Sequence, residues 1–327
     1  MHGYFAVDIG GTKVELGVGD EAGRLLATAR LETAALGDGE AAVERMARAL
    51  RELRRTAAPE VEPLAVGIGS PGPLDLERGE LGRLANLRGW DGLPIVRLFR
   101  TALGLPVYLA NDATAAALAE WRWGAGAGTT DMVYVTVSTG VGAGIVSGGR
   151  LVEGRDGNAG EIGHVVVDPD GHPCHCGNRG CLETVASGTA IAREAERRRR
   201  ESPLLTAYAG PLDAARVFEA AQAGDPVAGA VVRRAAETLG WAVGLFANLY
   251  NPERVVFGGG VAQQGEALLG PVRRAARRFG MPALVGRLQV VRAALGPETG
   301  VRGALAVAMA GPRRAAPDTG PAPGRPS

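Results

Sequence analysis

The chain has 327 residues, 46% of them apolar and 22% charged, with a formal net charge of +1. That length and apolar content provide for one large or two medium cores and exclude a mainly disordered chain. The neutral balance lacks the basic excess on which nucleic-acid binders rely.

Two departures from average composition stand out. Glycine supplies 50 residues, about twice its usual ~7% share. Of the 36 basic residues one is a lysine, Lys13, and the rest are arginines. The arginine excess reads as genomic background. The lysine lies in Gly-Thr-Lys-Val, which excludes the Gly-Lys-Ser/Thr of a Walker A loop. The three cysteines, Cys174, Cys176 and Cys181, fall within eight positions, a pattern of metal ligation and not of a disulfide framework. No apolar run reaches the ~18 residues of a membrane span. No basic leader precedes the first apolar strand, so a cytoplasmic protein without membrane or nucleic-acid partners is expected.

In chain order, residues 4–8 read as a buried strand, Gly10-Gly11-Thr12 as a turn, and 13–19 and 24–31 as two further strands of a meander. Residues 40–57 carry Val43, Met46, Leu50 and Leu53 on one helical face. A strand follows at 64–68. This order differs from the repeated βα units of a Rossmann domain. Gly67-Ile68-Gly69-Ser70-Pro71-Gly72 fits G-x-G-x-x-G, but Pro71 and Pro73 block the helix such a dinucleotide site requires; a rigid loop beside a ligand is expected instead. Residues 106–110 form a strand leading through Asn111-Asp112 into a helix over 113–122, and a Gly-rich bend occupies 124–128. Strands at 131–137 and 141–147, joined through Ser138-Thr139-Gly140, repeat the opening theme and predict two similarly built lobes. Helices follow near 187–200, 213–222 and 226–249. Then come a strand at 254–257, the turn Gly258-Gly259-Gly260, a helix near 264–279, a strand near 288–291 and a last helix near 299–310. The Pro-, Ala- and Arg-rich tail from Gly311 is expected to be disordered.

Three Gly-rich turns, each beside a strand, predict a nucleotide held between the lobes. Gly10, Gly11 and Thr12 offer backbone N–H groups and a hydroxyl to phosphates. Lys13 adds a cation, and Asp8 could hold Mg²⁺ directly or through water. Thr139-Gly140 forms a second nest, and Gly258, Gly259 and Gly260 suit an adenine or ribose face. Asp112 sits at a helix start, where the dipole favours an ionised carboxylate. Such a group is either a cap or, in phosphoryl transfer, the acceptor of the attacking hydroxyl's proton. Asn111 is placed to hydrogen-bond a neighbouring hydroxyl.

The densest constellation is Gly160-Glu161-Ile162-Gly163-His164 followed by Cys174-His175-Cys176-Gly177-Asn178-Arg179-Gly180-Cys181-Leu182-Glu183. His164 with Cys174, Cys176 and Cys181 makes a tetrahedral zinc set, with His172 and His175 as rival ligands. Four protein ligands leave no open position, so the zinc is expected to be structural. It would fix the loop that aims Glu161, His164 and Glu183 at a substrate.

Asp8–Lys13, Asn111-Asp112, Glu161-x-x-His164 and Cys-x-Cys-Gly-x-x-Gly-Cys-x-Glu together resemble the ROK sugar kinases, most of all bacterial ATP-dependent glucokinases, over about residues 4–310. The resemblance implies a two-lobed actin-like (ribonuclease H-like) α/β fold with a zinc-stapled loop in the second lobe. The smaller lobe would span 1–111 and the larger 112–298, with the helix near 299–310 packing back on the first. It implies Asp112 as general base for a sugar 6-hydroxyl and sugar contacts from Asn111, Glu161, His164 and Glu183. His164 would also ligate zinc through its other ring nitrogen. It implies ATP, Mg²⁺ and structural Zn²⁺, glucose or a related hexose as substrate, and a homodimer or homotetramer. ROK repressors carry an N-terminal winged helix-turn-helix; here the first kinase strand begins at Tyr4, so an enzyme is expected. Fructose, mannose and N-acetylmannosamine are the rival substrates, and a non-enzymatic sugar sensor is the contrasting class.

Overall fold

The computed structural model describes residues 1–83, 87 and 89–311. The expected tail beyond Gly311 lies outside the described residues. The first half contains β1 (His2–Ile9), β2 (Lys13–Asp20), β3 (Leu25–Glu32), α1 (Thr33–Leu36), α2 (Gly39–Ala57), β4 (Glu62–Ser70), β5 (Leu74–Asp75), β6 (Glu80–Leu81), α3 (Ile95–Leu103), β7 (Val107–Asn111) and α4 (Asp112–Trp123). The second contains β8 (Met132–Val137), β9 (Val141–Ser147), β10 (Arg150–Leu151), α5 (Glu183–Ala186), α6 (Gly188–Arg197), α7 (Pro203–Ala207), α8 (Ala214–Gln222), α9 (Pro226–Tyr250) and β11 (Arg254–Gly258). It closes with α10 (Glu266–Phe279), α11 (Pro282–Val285), β12 (Gln289–Arg292) and α12 (Thr299–Ala310).

Two five-stranded mixed sheets share one topology. Their orders are β3-β2-β1-β4-β7 and β10-β9-β8-β11-β12. In each, an antiparallel meander is extended by two parallel strands. The central strand β1 is apolar on both faces because both are covered. Phe5, Val7 and Ile9 meet the core formed with Met46 and Leu50 of α2 and Phe99 of α3. Ala6 faces Val301, Ala304 and Leu305 of α12. The edge strand β3 alternates exposed and half-buried residues instead.

α4 lies between α12 and the second sheet, which is why Ala113–Glu120 is buried on all sides. Small residues permit the approach: a Cβ on Gly303 would lie 2.7 Å from the Ala115 carbonyl carbon, and one on Gly144 2.5 Å from the Ala117 Cβ. Behind the second sheet, Leu239, Val243 and Phe246 of α9 pack with Leu268 and Val272 of α10 over Val133, Val135 and Val137. Burying each such side chain contributes about 1.5–3 kcal/mol.

The helix expected near 187–200 is present as α6, Gly188–Arg197. Ser187 separates α5 from α6 and caps the latter, its Oγ accepting the Ala190 N–H at 3.0 Å, and residues 199–201 form a 3-10 turn. The helix expected from 264 begins at Glu266, because Gly265 has a φ of 56° and ends a preceding 3-10 turn. α3 and the β5–β6 hairpin were not foreseen.

Candidate active site

At the end of β1, Asp8 stands opposite Glu15 of β2 in the antiparallel register. Like charges paired across strands repel. The Lys13 ammonium answers them: it lies on the same face of β2 as Glu15 and contacts its Oε1 at 2.5 Å. The single lysine is thus held by a carboxylate of its own strand. Burial, then Asp112 and Glu15, push the Asp8 carboxyl up to about 7, against a lowering by Lys13. On its far side Asp8 abuts the first turn of α12, where a Cβ on Gly300 would lie 2.1 Å from Oδ2. The turn itself is closed by the Gly10 N–H donating to the Lys13 carbonyl at 2.9 Å. Thr33 Oγ donates to the Gly10 carbonyl at 2.8 Å. Gly11 and Thr12 are exposed.

β7 ends at Asn111 and α4 starts at Asp112, one residue earlier than expected. The cap is Asn111, whose Oδ1 accepts the Ala113 N–H at 2.9 Å. Asp112 Oδ1 accepts the same N–H at 2.7 Å. Asp112 is reached by solvent, yet it sits so deep among protein that lost hydration lifts its carboxyl to about 6. The Ala113 N–H opposes this rise and the Glu161 charge adds to it. Gly72 of the proline-rich loop lies beside the Asn111 amide, a Cβ there coming within 3.3 Å of Nδ2.

His164 joins this acidic line to the cysteine loop. Its Nε2 is 3.8 Å from Glu161 Oε2, while its Nδ1 is 3.5 Å from Cys174 Sγ. Cys176 Sγ and Cys181 Sγ are 3.7 Å apart. All four ligand atoms lie within 4.8 Å of one another. A tetrahedral zinc with N and S ligands has N···S edges of about 3.5 Å and S···S edges of about 3.8 Å. These two contacts fit it. Burial, chiefly, pushes the Cys181 thiol up to about 12, a cost that a bound dication would remove. Of the rival ligands, His175 groups instead with His164 and Glu183, and His172 belongs to neither group among the described residues. His175 Nδ1 is 3.3 Å from Glu183 Oε1.

Glu183 also reaches the second Gly-rich turn: its Oε2 accepts the Val141 N–H at 3.0 Å. A Cβ on Gly140 would meet that oxygen at 2.3 Å, so a side chain there would displace the Glu183 carboxylate. The exposed Thr139 then borders a pocket of about 660 Å³, lined among others by Thr189, Arg193, Glu196, Gln264 and Gly260. Of the third turn only Gly260 reaches this pocket. Gly258 is closed off by the Tyr134 hydroxyl and Gly259 by the Val137 carbonyl. The α6 residues and residues 211–215 of the lining were not foreseen; they are scattered along the sequence and carry no local motif.

The sequence matches the model of the ROK family over residues 4–310. The chain belongs to the ROK family. A glucokinase from Thermotoga maritima is 38% identical over 306 residues, covering 92% of this chain and 95% of that protein. An N-acetylmannosamine kinase from Yersinia pestis is 38% identical over 256 residues, covering 78% and 82%. A solved ROK glucokinase from Streptomyces griseus, in complex with glucose and AMPPNP, superposes with a TM-score of 0.76 at 37% identity, covering 94% of this chain and 100% of that one. The ROK fold accounts for the paired mixed sheets and for the Cys/His cluster beside the acidic line.

Proposed function

We propose that glucose is the hexose that this ROK-family, ATP-dependent sugar kinase phosphorylates, at its 6-hydroxyl. The observation that carries the reading is Asp112, a carboxyl lifted to about 6 that feels the charge of Glu161 and itself raises Asp8, with His164 beside Glu161. A base of that pKa is ionised at neutral pH and strong enough to accept a hydroxyl proton as the bond to phosphorus forms. The sugar oxygen attacks the γ-phosphorus of ATP, ADP leaves, and the proton remains on Asp112. Asn111, Glu161, His164 and Glu183 would orient the sugar through its other hydroxyls. Glu183 has one oxygen committed to the Val141 N–H, so the sugar competes with His175 for the other.

ATP would lie with its base in the 660 Å³ pocket near Gly260 and its phosphates against Thr139-Gly140 and Gly10–Lys13. Gly258 and Gly259 serve that site by shaping the turn. Mg²⁺ would neutralise phosphate charge, and Asp8, hemmed in by other acids, is the carboxylate suited to hold it. Zinc bound by His164, Cys174, Cys176 and Cys181 would fix the loop carrying Glu161 and Glu183. In this reading the paired sheets are the two lobes of an actin-like fold, residues 1–111 and 112–298, with α12 returned to the first. The protein would act in the cytoplasm as a homodimer or homotetramer.

Fructose, mannose and N-acetylmannosamine are the alternatives, the last supported by the Yersinia pestis relative. ADP release measured with ATP and each hexose in turn decides among them. Glucose should give the highest kcat/KM; a higher value with N-acetylmannosamine would overturn the glucose assignment while leaving the kinase.

A further inference from the structure

The chain passes between the two sheets twice after β7. It runs once through α4 and residues 124–131 into β8, and once from β12 through residues 293–298 into α12. Both crossings meet at a single side chain, Glu120. Its carboxylate is fully buried, at 0% exposure. Oε2 accepts the Ala125 N–H at 2.8 Å on the first crossing and the Ala294 N–H at 3.0 Å on the second. Oε1 accepts the Leu295 N–H at 2.9 Å. The Glu120 carbonyl adds the N–H groups of Gly124 and Gly126, at 3.0 and 2.9 Å. Both side-chain oxygens of a glutamate accept hydrogen bonds, whereas a glutamine would present one acceptor oxygen and a donor NH₂. Gly124 makes room for the carboxylate, since a Cβ there would lie 2.0 Å from Oε2.

The two elements leaving this point lead to the two acids of the site. α4 begins at Asp112, eight residues before Glu120, or ~12 Å at 1.5 Å per residue. α12 begins five residues after Ala294 and sets Gly300 against Asp8. The halves also touch without a covalent link. There a Cβ on Gly157 would lie 2.2 Å from Leu76 Cδ1, next to the β5–β6 hairpin.

We propose that Glu120 is a positioning residue that pins both crossings to one point. With both crossings held there, the start of α4 at Asp112 and the start of α12 against Asp8 keep a fixed separation. The proposal rests on the kinase reading of Asp112. That reading is judged on whether the wild type releases ADP, whereas the clasp is judged on the ratio of variant to wild type.

The test is Glu120→Gln, compared with a core truncation far from the crossings, Val243→Ala in α9. Each is assayed well below its own Tm, with hexose Kd measured separately by calorimetry. The clasp predicts a kcat lowered about ten- to a hundredfold in Glu120→Gln, because small displacements of reacting groups are costly. Hexose Kd should stay within about threefold, and Val243→Ala should keep wild-type kcat. Gly124→Ala, which keeps the Glu120 side chain but pushes its carboxylate off the bound N–H groups, should give the same split. A Glu120→Gln enzyme with wild-type kcat overturns the proposal. So does failure of both Glu120→Gln and Gly124→Ala to fold, which would make Glu120 a purely structural residue.

Discussion

The two sheets repeat one topology, yet their equivalent corners, β1–β2 and β8–β9, are furnished oppositely. Where the first sheet pairs Asp8 with Glu15, the second pairs Thr136 with Gly142. The first corner concentrates charge, relieved in part by Lys13; the second is neutral and is braced from beneath by Glu183. A repeated scaffold thus fixes where strand ends meet, while the residues at those ends divide the labour. The first corner handles charge and the second shapes a pocket. Asp112 is coupled to the charged corner, raising Asp8, and is itself raised by Glu161.

The comparison makes graded predictions. Asp112→Asn removes the group coupled to the charged corner and should lower kcat by about 10²–10⁴-fold, with glucose Kd from calorimetry nearly unchanged. Next, Cys176→Ser strikes only the second corner. Metal analysis should find zinc in the wild type and none in the variant, and the KM for glucose should rise about tenfold as Glu161 and Glu183 lose their fixed loop.

Asp8→Asn tests the charge of the first corner through stability. The Asp8 carboxyl is raised from 3.8 to about 7 on folding, so the folded state holds a proton that the unfolded state has released between those values. Stability therefore falls as pH rises through that window, and the full cost is present above it. Without nucleotide, Asp8→Asn should raise Tm by about 2–4 °C at pH 8 and leave it unchanged near pH 4. A Tm lowered at pH 8 would refute the strained-corner account. The smallest effect is expected for Lys13→Arg: because Lys13 is engaged with Glu15, kcat/KM for ATP should change less than about threefold. A loss approaching that of Asp112→Asn would make the lysine a direct phosphate ligand.

Much of this was legible in the sequence, for local reasons. The strands of both meanders announce themselves by apolar runs between small-residue turns, and the ligand set by the rarity of cysteine and histidine elsewhere. The Lys13–Glu15 pair was legible too, since residues two apart on a strand share a face, but the phosphate reading of Lys13 overlooked it. Asn111 as the cap follows from β7 reaching Asn111, which the strand expected at 106–110 missed by one residue. Glu120 was not legible. An acid near a helix end looks like a solvated surface group, and its burial depends on Ala294 and Leu295, which are remote in sequence. The pocket lining failed for the same reason, since Thr189, Asp213 and Gln264 meet only after α6, α8 and α10 have packed.

The most direct measurement of the central claim is the pH dependence of kcat/KM for glucose, which reports the free enzyme. A proton-accepting Asp112 would work as the carboxylate, and its carboxyl is raised to about 6 in the free enzyme. The value of kcat/KM should therefore fall tenfold per pH unit below about 6 and level off above it. A kcat/KM that stays flat from pH 5 to pH 8 would contradict a proton-accepting Asp112.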